Sequence, residues 1–268
     1  MKDGMRVKQL SQLRNRIVVI TGATSGIGAV TAVKLAEAGA VPIITGRSAS
    51  KLAAMRGSVP GQCGFYELDV TDTADVQRVV DRIATDFGRI DVLVNNAGFG
   101  LFERFEDAPL EHFAKMMDTN YMGTVRCTKA VLPYMKSQGN GHIVNIASMA
   151  GKLSTAKASG YAATKHAVLG LTNALRAELA PDGIAVSAVN PGPIDTPFLE
   201  TADPGGGYAA SVKGYLLKPS QVADAVVRVI AKRTPEVDLP LSAGIGIRLY
   251  GLAPRFADKT FGKLLNRK

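Results

Sequence analysis

The chain has 268 residues, 46% hydrophobic and 21% charged, the proportions of an ordinary soluble globular protein long enough for one large α/β domain. Two cysteines, Cys63 and Cys127, exclude a disulfide framework and a CxxC metal site and fit a reducing, cytoplasmic setting; no run approaches the ~18 uncharged apolar residues that span a bilayer. The net charge of +9 lies at the ends: residues 1–16 carry five Lys/Arg against one Asp and 248–268 six against one, leaving 17–247 balanced, which argues against a nucleic-acid-binding core.

Residues 1–16 have no apolar h-region and read as a basic N-terminal extension, not a secretory signal. From residue 17 short β-branched runs alternate with helical patterns. Strands are predicted at 17–22, 41–46, 64–70, 91–98, 141–148, 184–191 and 237–243, and helices near 26–38, 49–56, 73–86, 110–137, 160–180 and 220–232. Most strands are continuously apolar, as expected when both faces are covered. The alternation implies one α/β domain over 17–247, a doubly wound parallel sheet of about seven strands with helices on both faces. The Gly- and Pro-rich stretch 192–219 is too long for a plain connection and reads as a mobile lid beyond the sixth strand. In the basic tail 248–268, Phe256, Ala257, Phe261, Leu264 and Leu265 recur at helical spacing after Pro254. That tail is either a helix lying on an anionic membrane surface or one packed on the protein or a partner subunit.

Two turns carry cofactor chemistry. After the first strand, "TGATSGIG" sets Gly22, Gly26 and Gly28 at GxxxGxG spacing, a turn that brings backbone N–H groups and a helix N-terminus to a phosphate. It departs from both the GxGxxG fingerprint and the P-loop. The second strand ends "ITGRS": Gly46 stands where an acid would reject a ribose 2′-phosphate, and Arg47 follows. The pair favours NADP(H) over NAD(H), with a solvated surface arginine as the competing reading. In "ASGYAATKHAVLGL", Tyr161 and Lys165 lie four residues apart and share one helix face.

In chain order, "TGATSGIG", "LDVTD" (68–72), "NNAG" (95–98), "TNYMGT" (119–124), "NIASMAG" (145–151), "YAATK" (161–165) and "NPGPIDT" (190–196) resemble the short-chain dehydrogenase/reductase family over residues 17 to about 245. The resemblance implies a Rossmann-like fold and an NADP(H)-dependent oxidoreductase acting on a carbonyl or secondary alcohol, with the nicotinamide carrying the hydride. By that likeness Tyr161 is the general acid/base, and Lys165 lies beneath it and binds the nicotinamide ribose. Ser148 holds the substrate oxygen, and Asn120 holds a relay water. Gly22, Thr24, Ser25, Gly26, Ile27, Gly28 and Arg47 would take the phosphates. Asp69 and Val70 would meet the adenine. Asn95, Ala97 and Gly98 would line the cleft, with bracing of neighbouring strands the alternative for Asn95. Pro191, Ile194 and Thr196 would reach the carboxamide. The ammonium and the oxidised nicotinamide are expected to pull the phenol well below its usual pKa of about 10.

Nothing in the spacing of His112, His142 and His166 forms a metal site, and Cys127 reads as a small buried residue. Phe99, Leu101, Phe102, Met149, Leu153, Phe198, Leu199 and Tyr208 would border the substrate, a mostly apolar set that suits a steroid-, retinoid- or fatty-like molecule. The surplus apolar surface of 110–137 and 160–180, together with the resemblance, implies a homodimer or homotetramer. Two other functions fit less well. A 3-oxoacyl-carrier-protein reductase would end soon after the seventh strand, and a non-catalytic NADP(H) sensor would usually lack Tyr161 or Lys165.

Overall fold

The computed structural model describes residues 11–252. Among them, seven strands form one parallel sheet: β1 (Ile17–Ile20), β2 (Val41–Gly46), β3 (Gly64–Glu67), β4 (Val92–Asn95), β5 (Gly141–Ile146), β6 (Ile184–Pro191) and β7 (Glu236–Leu239). Their order is β3-β2-β1-β4-β5-β6-β7, the doubly wound arrangement expected of the alternation. The helices are α1 (Gly26–Glu37), α2 (Ala49–Met55), α3 (Thr73–Phe87), α4 (Leu110–Met117), α5 (Gly123–Ser137), α6 (Ser159–Leu179), α7 (Pro197–Ala202), α8 (Gly207–Val212), α9 (Pro219–Lys232) and α10 (Leu241–Leu252).

Successive strand side chains alternate between two cores. Val18 and Ile20 enter the layer under α1 and α9, while Ile17 and Val19 enter the layer under α3 and α5. Both sets are buried, so the strands read as unbroken apolar runs. Helix α3 shows the local rules at work. The Asp72 carboxylate accepts the N–H groups of Ala74 and Asp75, and Val76, Val79, Val80 and Ile83 form the buried stripe. Gly88, at φ +74°, ends the helix in the left-handed region. The strand order reverses between β1 and β4, and a crevice opens there above the carboxyl ends of the strands.

Four expectations change. Residues 1–16 are not wholly an extension: Leu13 is buried in the core, the Asn15 N–H donates to the Gly39 carbonyl, and Arg16 pairs with buried Asp91. The helix expected over 110–137 is interrupted by a π-helical turn, Asp118–Met122. The supposedly irregular stretch 192–219 contains α7, α8 and a 3₁₀ turn at Lys213–Tyr215. The last strand stops at Leu239 and α10 follows, so the boundary placed at 247/248 falls inside a helix. The apolar spacing noted at 254–268 lies outside the described residues.

Candidate active site

The glycine turn after β1 is clamped to the chain leaving β4. Gly22 has φ +62°, and a Cβ there would stand 2.8 Å from the Ala97 Cα, so only glycine permits the approach. The Thr21 hydroxyl oxygen accepts the N–H groups of Asn96 and Ala97, each at 3.0 Å. The Asn96 amide donates back to the Thr21 and Gly22 carbonyls at 2.9 Å. A Cβ on Gly28 would lie 2.6 Å from the Asn96 Nδ2. Gly28 is therefore a packing glycine behind the turn and does not line the cleft, contrary to its expected place among the phosphate contacts. Ser25 stands at the N-cap of α1 without a side-chain capping bond, leaving the first N–H groups of the helix to the cleft.

The end of β2 forms the next stretch of wall. A Cβ on Gly46 would meet the Thr24 Cγ2 at 2.7 Å, so an acidic side chain has no room there while the turn holds its shape. Arg47 lines the cleft together with Ser48 and Lys51, which the sequence reading passed over although they lie within one helical turn of it. Burial pushes the Asp69 carboxyl upward, but two bonds from Thr71 and the guanidinium groups of Arg47 and Arg126 outweigh it and hold the pKa below its ordinary value. Asp69 and Val70 line the wall opposite the glycine turn, and Pro191, Ile194 and Thr196 close it from the base of 192–219.

Asn95 leaves the expected set. As the last residue of β4 it points into the protein, its amide donating to Asn145 Oδ1 at 2.9 Å and Thr128 Oγ1 at 3.2 Å. It braces β4 and β5, while its neighbours Asn96, Ala97 and Gly98 line the cleft.

The reactive groups converge at the floor. Tyr161 and Lys165 are both buried on the first turns of α6. Ser148 follows β5 and caps a 3₁₀ turn, its oxygen accepting the Ala150 N–H and its hydroxyl donating to the Pro191 carbonyl at 3.3 Å. The Ser148 hydroxyl also lies near enough to the Tyr161 phenol to favour its ionised form. Asn120 sits in the π turn with its side chain fully engaged. Its oxygen accepts the Phe99 N–H at 2.9 Å, and its amide donates to the Phe99 carbonyl at 2.8 Å and to Thr164 Oγ1 at 3.0 Å. It thus ties the segment after β4 to α6. A Cβ on Gly98 would stand 2.9 Å from the Asn120 Oδ1.

Without the nicotinamide charge on which the expected lowering also drew, burial sets the phenol's proton affinity. Burial pushes Tyr161 up to about 12, and the Ser148 hydroxyl only partly offsets this. The Lys165 ammonium lies 5.7 Å from the ring centroid and donates to the Ile146 carbonyl at 2.8 Å. Burial in turn pulls Lys165 down to about 8. Sharing a helix face brings the two residues together, and burial is the main influence on the proton affinity of each.

Beyond the phenol the cleft turns aromatic. Phe102 packs edge-on against Tyr161 with centroids 5.8 Å apart and against Tyr208 at 4.7 Å, and Phe198 lies 5.5 Å from Tyr161. The whole cleft measures about 640 Å³; of the expected substrate-bordering residues, Leu101 is the one that does not line it. His142 is buried against Ser187 on the sheet, where burial pulls its pKa down to about 3, and His112 pairs with Glu103. Among the described residues no group of three His, Cys, Asp or Glu side chains is placed to hold a metal ion, and no helix is long and apolar enough to cross a membrane.

A phosphate-ready turn at the switch point of a parallel sheet, joined to a buried Tyr–Lys–Ser group, defines a nucleotide-cofactor oxidoreductase. Comparison with known proteins makes the class specific. The short chain dehydrogenase family profile matches residues 16–205, and the chain belongs to that family. It is 38% identical over 188 residues to a 3-ketodihydrosphingosine reductase of Bacteroides thetaiotaomicron, covering 70% of this chain and 67% of that one. Among solved structures, the 3-ketoacyl-(acyl-carrier-protein) reductase of Brucella melitensis complexed with NADH superposes with a TM-score of 0.78 at 30% identity, covering 85% and 97% of the two chains. The closed form of a serine dehydrogenase complexed with NADP+ superposes with a TM-score of 0.77 at 32% identity, covering 83% and 94%. The protein is therefore an oxidoreductase of carbonyl and alcohol groups with a nicotinamide cofactor.

Proposed function

We propose that the protein is an NADP(H)-dependent reductase of a lipophilic ketone, running the reverse alcohol oxidation through the same groups. The observation that carries this reading is the buried Tyr161–Ser148–Lys165 group at the floor of a cleft with aromatic walls at one end and Arg47 and Lys51 at the other. The residues suit the cofactor: Gly22 leaves an approach that a Cβ would fill, and α1 offers uncapped N–H groups to a pyrophosphate. Thr24, Ser25, Gly26 and Ile27 would hold it there, with Arg47, Ser48 and Lys51 around a 2′-phosphate, Asp69 and Val70 beside the adenine, Ala97 and Gly98 along its middle, and Pro191, Ile194 and Thr196 at the carboxamide. When bound, NADPH supplies the hydride.

The chain's own residues do the rest. The Ser148 and Tyr161 hydroxyls donate to the substrate carbonyl oxygen and hold it for attack. Oxygen becomes more basic as it gains alkoxide character, and Tyr161 passes it the phenolic proton. Burial keeps the Tyr161 phenol protonated at neutral pH, the form that the acid role requires. Lys165 remains mostly charged at pH 7 and would bond the ribose while stabilising the phenolate left behind. Asn120 keeps Phe99 and α6 in register, and by the family likeness it is the residue that would hold the relay water. The homodimer or homotetramer through α5 and α6 belongs to the same reading.

The test is NADPH oxidation by the purified protein across steroid, retinoid and long-chain ketones, repeated with Tyr161→Phe. Turnover should vanish in the variant while NADPH affinity, read by cofactor fluorescence, persists. Retained turnover would remove Tyr161 from the acid role. A second reading, reduction of 3-oxoacyl thioesters, is favoured by the likeness to the Brucella enzyme. Preference for acetoacetyl thioesters over lipophilic ketones would select it.

A further inference from the structure

Helix α10, LSAGIGIRLYGL, has apolar residues on every side and one charge, Arg248. One side is committed to the domain. Gly244 presses on Asp238, where a Cβ would come within 2.5 Å of the Asp238 Cβ, and Ile247 reaches the wall of the cleft. The other side carries Leu241, Ile245, Leu249 and Leu252, which fall within an arc of about 80° at helical pitch. These side chains are exposed by 70%, 52%, 62% and 82%. Four large aliphatic groups in one line on a solvent-facing helix mark a contact surface, not ordinary scatter.

Charge decides what covers it. Residues 253–268, which follow this helix directly, carry Arg255, Lys259, Lys263, Arg267 and Lys268 against Asp258. An aliphatic stripe continued by a cationic segment matches the interface of an anionic bilayer, where acyl chains take the leucines and headgroups take the lysines. A second copy offers only Asp258 against six Lys/Arg over residues 241–268, so its own charge does not complement this stretch. We propose that α10 docks through Leu241, Ile245, Leu249 and Leu252 onto an anionic lipid surface. Ile247, on the cleft side of the same helix, then sets the mouth of the active site at the headgroup level. Passage of substrate from the bilayer to Tyr161 rests on the lipophilic-ketone reading; the docking itself does not.

The full-length protein is co-sedimented with vesicles of phosphatidylcholine alone and of phosphatidylcholine with phosphatidylserine, beside the double variant Ile245→Asp/Leu249→Asp. Wild type should bind the anionic vesicles and release in about 0.5 M salt. The variant should bind at least ~10-fold more weakly while reducing a small water-soluble ketone at the wild-type rate, which shows that it is folded. Three results overturn the proposal: no vesicle binding by wild type, undiminished binding by the folded variant, or conversion of an oligomer to monomers by the variant in lipid-free ultracentrifugation, which would assign the stripe to a second copy. Vesicle binding without turnover of lipophilic ketones would remove the substrate reading and leave the docking intact.

Discussion

Lys165→Met isolates the cost of keeping a charge at the catalytic floor. Burial lowers Lys165 from 10.5 to about 8 in the folded protein. Between those values the unfolded chain binds more protons than the folded one, so the lysine's contribution to stability rises with pH. Below pH 8 the buried ammonium costs about 3 kcal/mol, from roughly 1.4 kcal/mol per pH unit of separation. Going from pH 7 to pH 10 relieves about 2–3 kcal/mol of that. The Met variant has no such charge, and the other titrating groups are common to both proteins. Their difference in unfolding free energy, wild type minus variant, should therefore rise by about 2–3 kcal/mol over the interval. The bond lost to the Ile146 carbonyl displaces the whole difference curve without changing its slope. Urea titrations of both cofactor-free proteins at pH 7, 8, 9 and 10 measure it. Parallel curves would refute the claim that desolvation governs this lysine.

Arg47→Ala should weaken NADPH binding by about 1.5–3 kcal/mol, roughly tenfold to a hundredfold, and leave NADH nearly unchanged; cofactor fluorescence titration reads both, and equal losses would remove the phosphate contact. Gly98→Val should drive a side chain into the Asn120 amide, lowering turnover and destabilising the fold by about 1–3 kcal/mol in thermal unfolding. Wild-type turnover would show that Asn120 does not need its present place. Asp238 is buried, its Oδ1 accepting from Lys152 at 2.5 Å and from Asn190 at 2.8 Å, and it joins the segment after Ser148 to β7. Asp238→Asn should cost about 1–3 kcal/mol in urea unfolding, because Lys152 keeps Glu236 as its other partner. A neutral result would mean that the pair barely offsets its own desolvation.

The parallel sheet was legible because strands covered on both faces are apolar throughout, and Ile17–Ile20 needs no partner to be recognised. Where the structure departs from the sequence reading, the deciding quantity was spatial. Asn95 and Asn96 are adjacent and chemically identical. Alternation along β4 sends one side chain to Asn145 and the other to the glycine turn, and the motif does not say where the strand stops. The π turn at Asp118–Met122 leaves the apolar pattern of 110–137 intact, so periodicity could not reveal it. Gly28 belongs to the cofactor turn by spacing, yet its reason for being glycine is the Asn96 amide behind it.

Tyr161 shows the same limit in energetic form. A four-residue spacing establishes that a phenol and an ammonium share a face, and from that a lowered phenol pKa follows only if the medium between them matches that around an exposed pair. Here both groups are buried, the ammonium is turned to the Ile146 carbonyl, and leaving water is the largest influence on each. The phenol thus keeps its proton and the lysine holds its own less tightly. That pairing suits delivery of a proton to a nascent alkoxide.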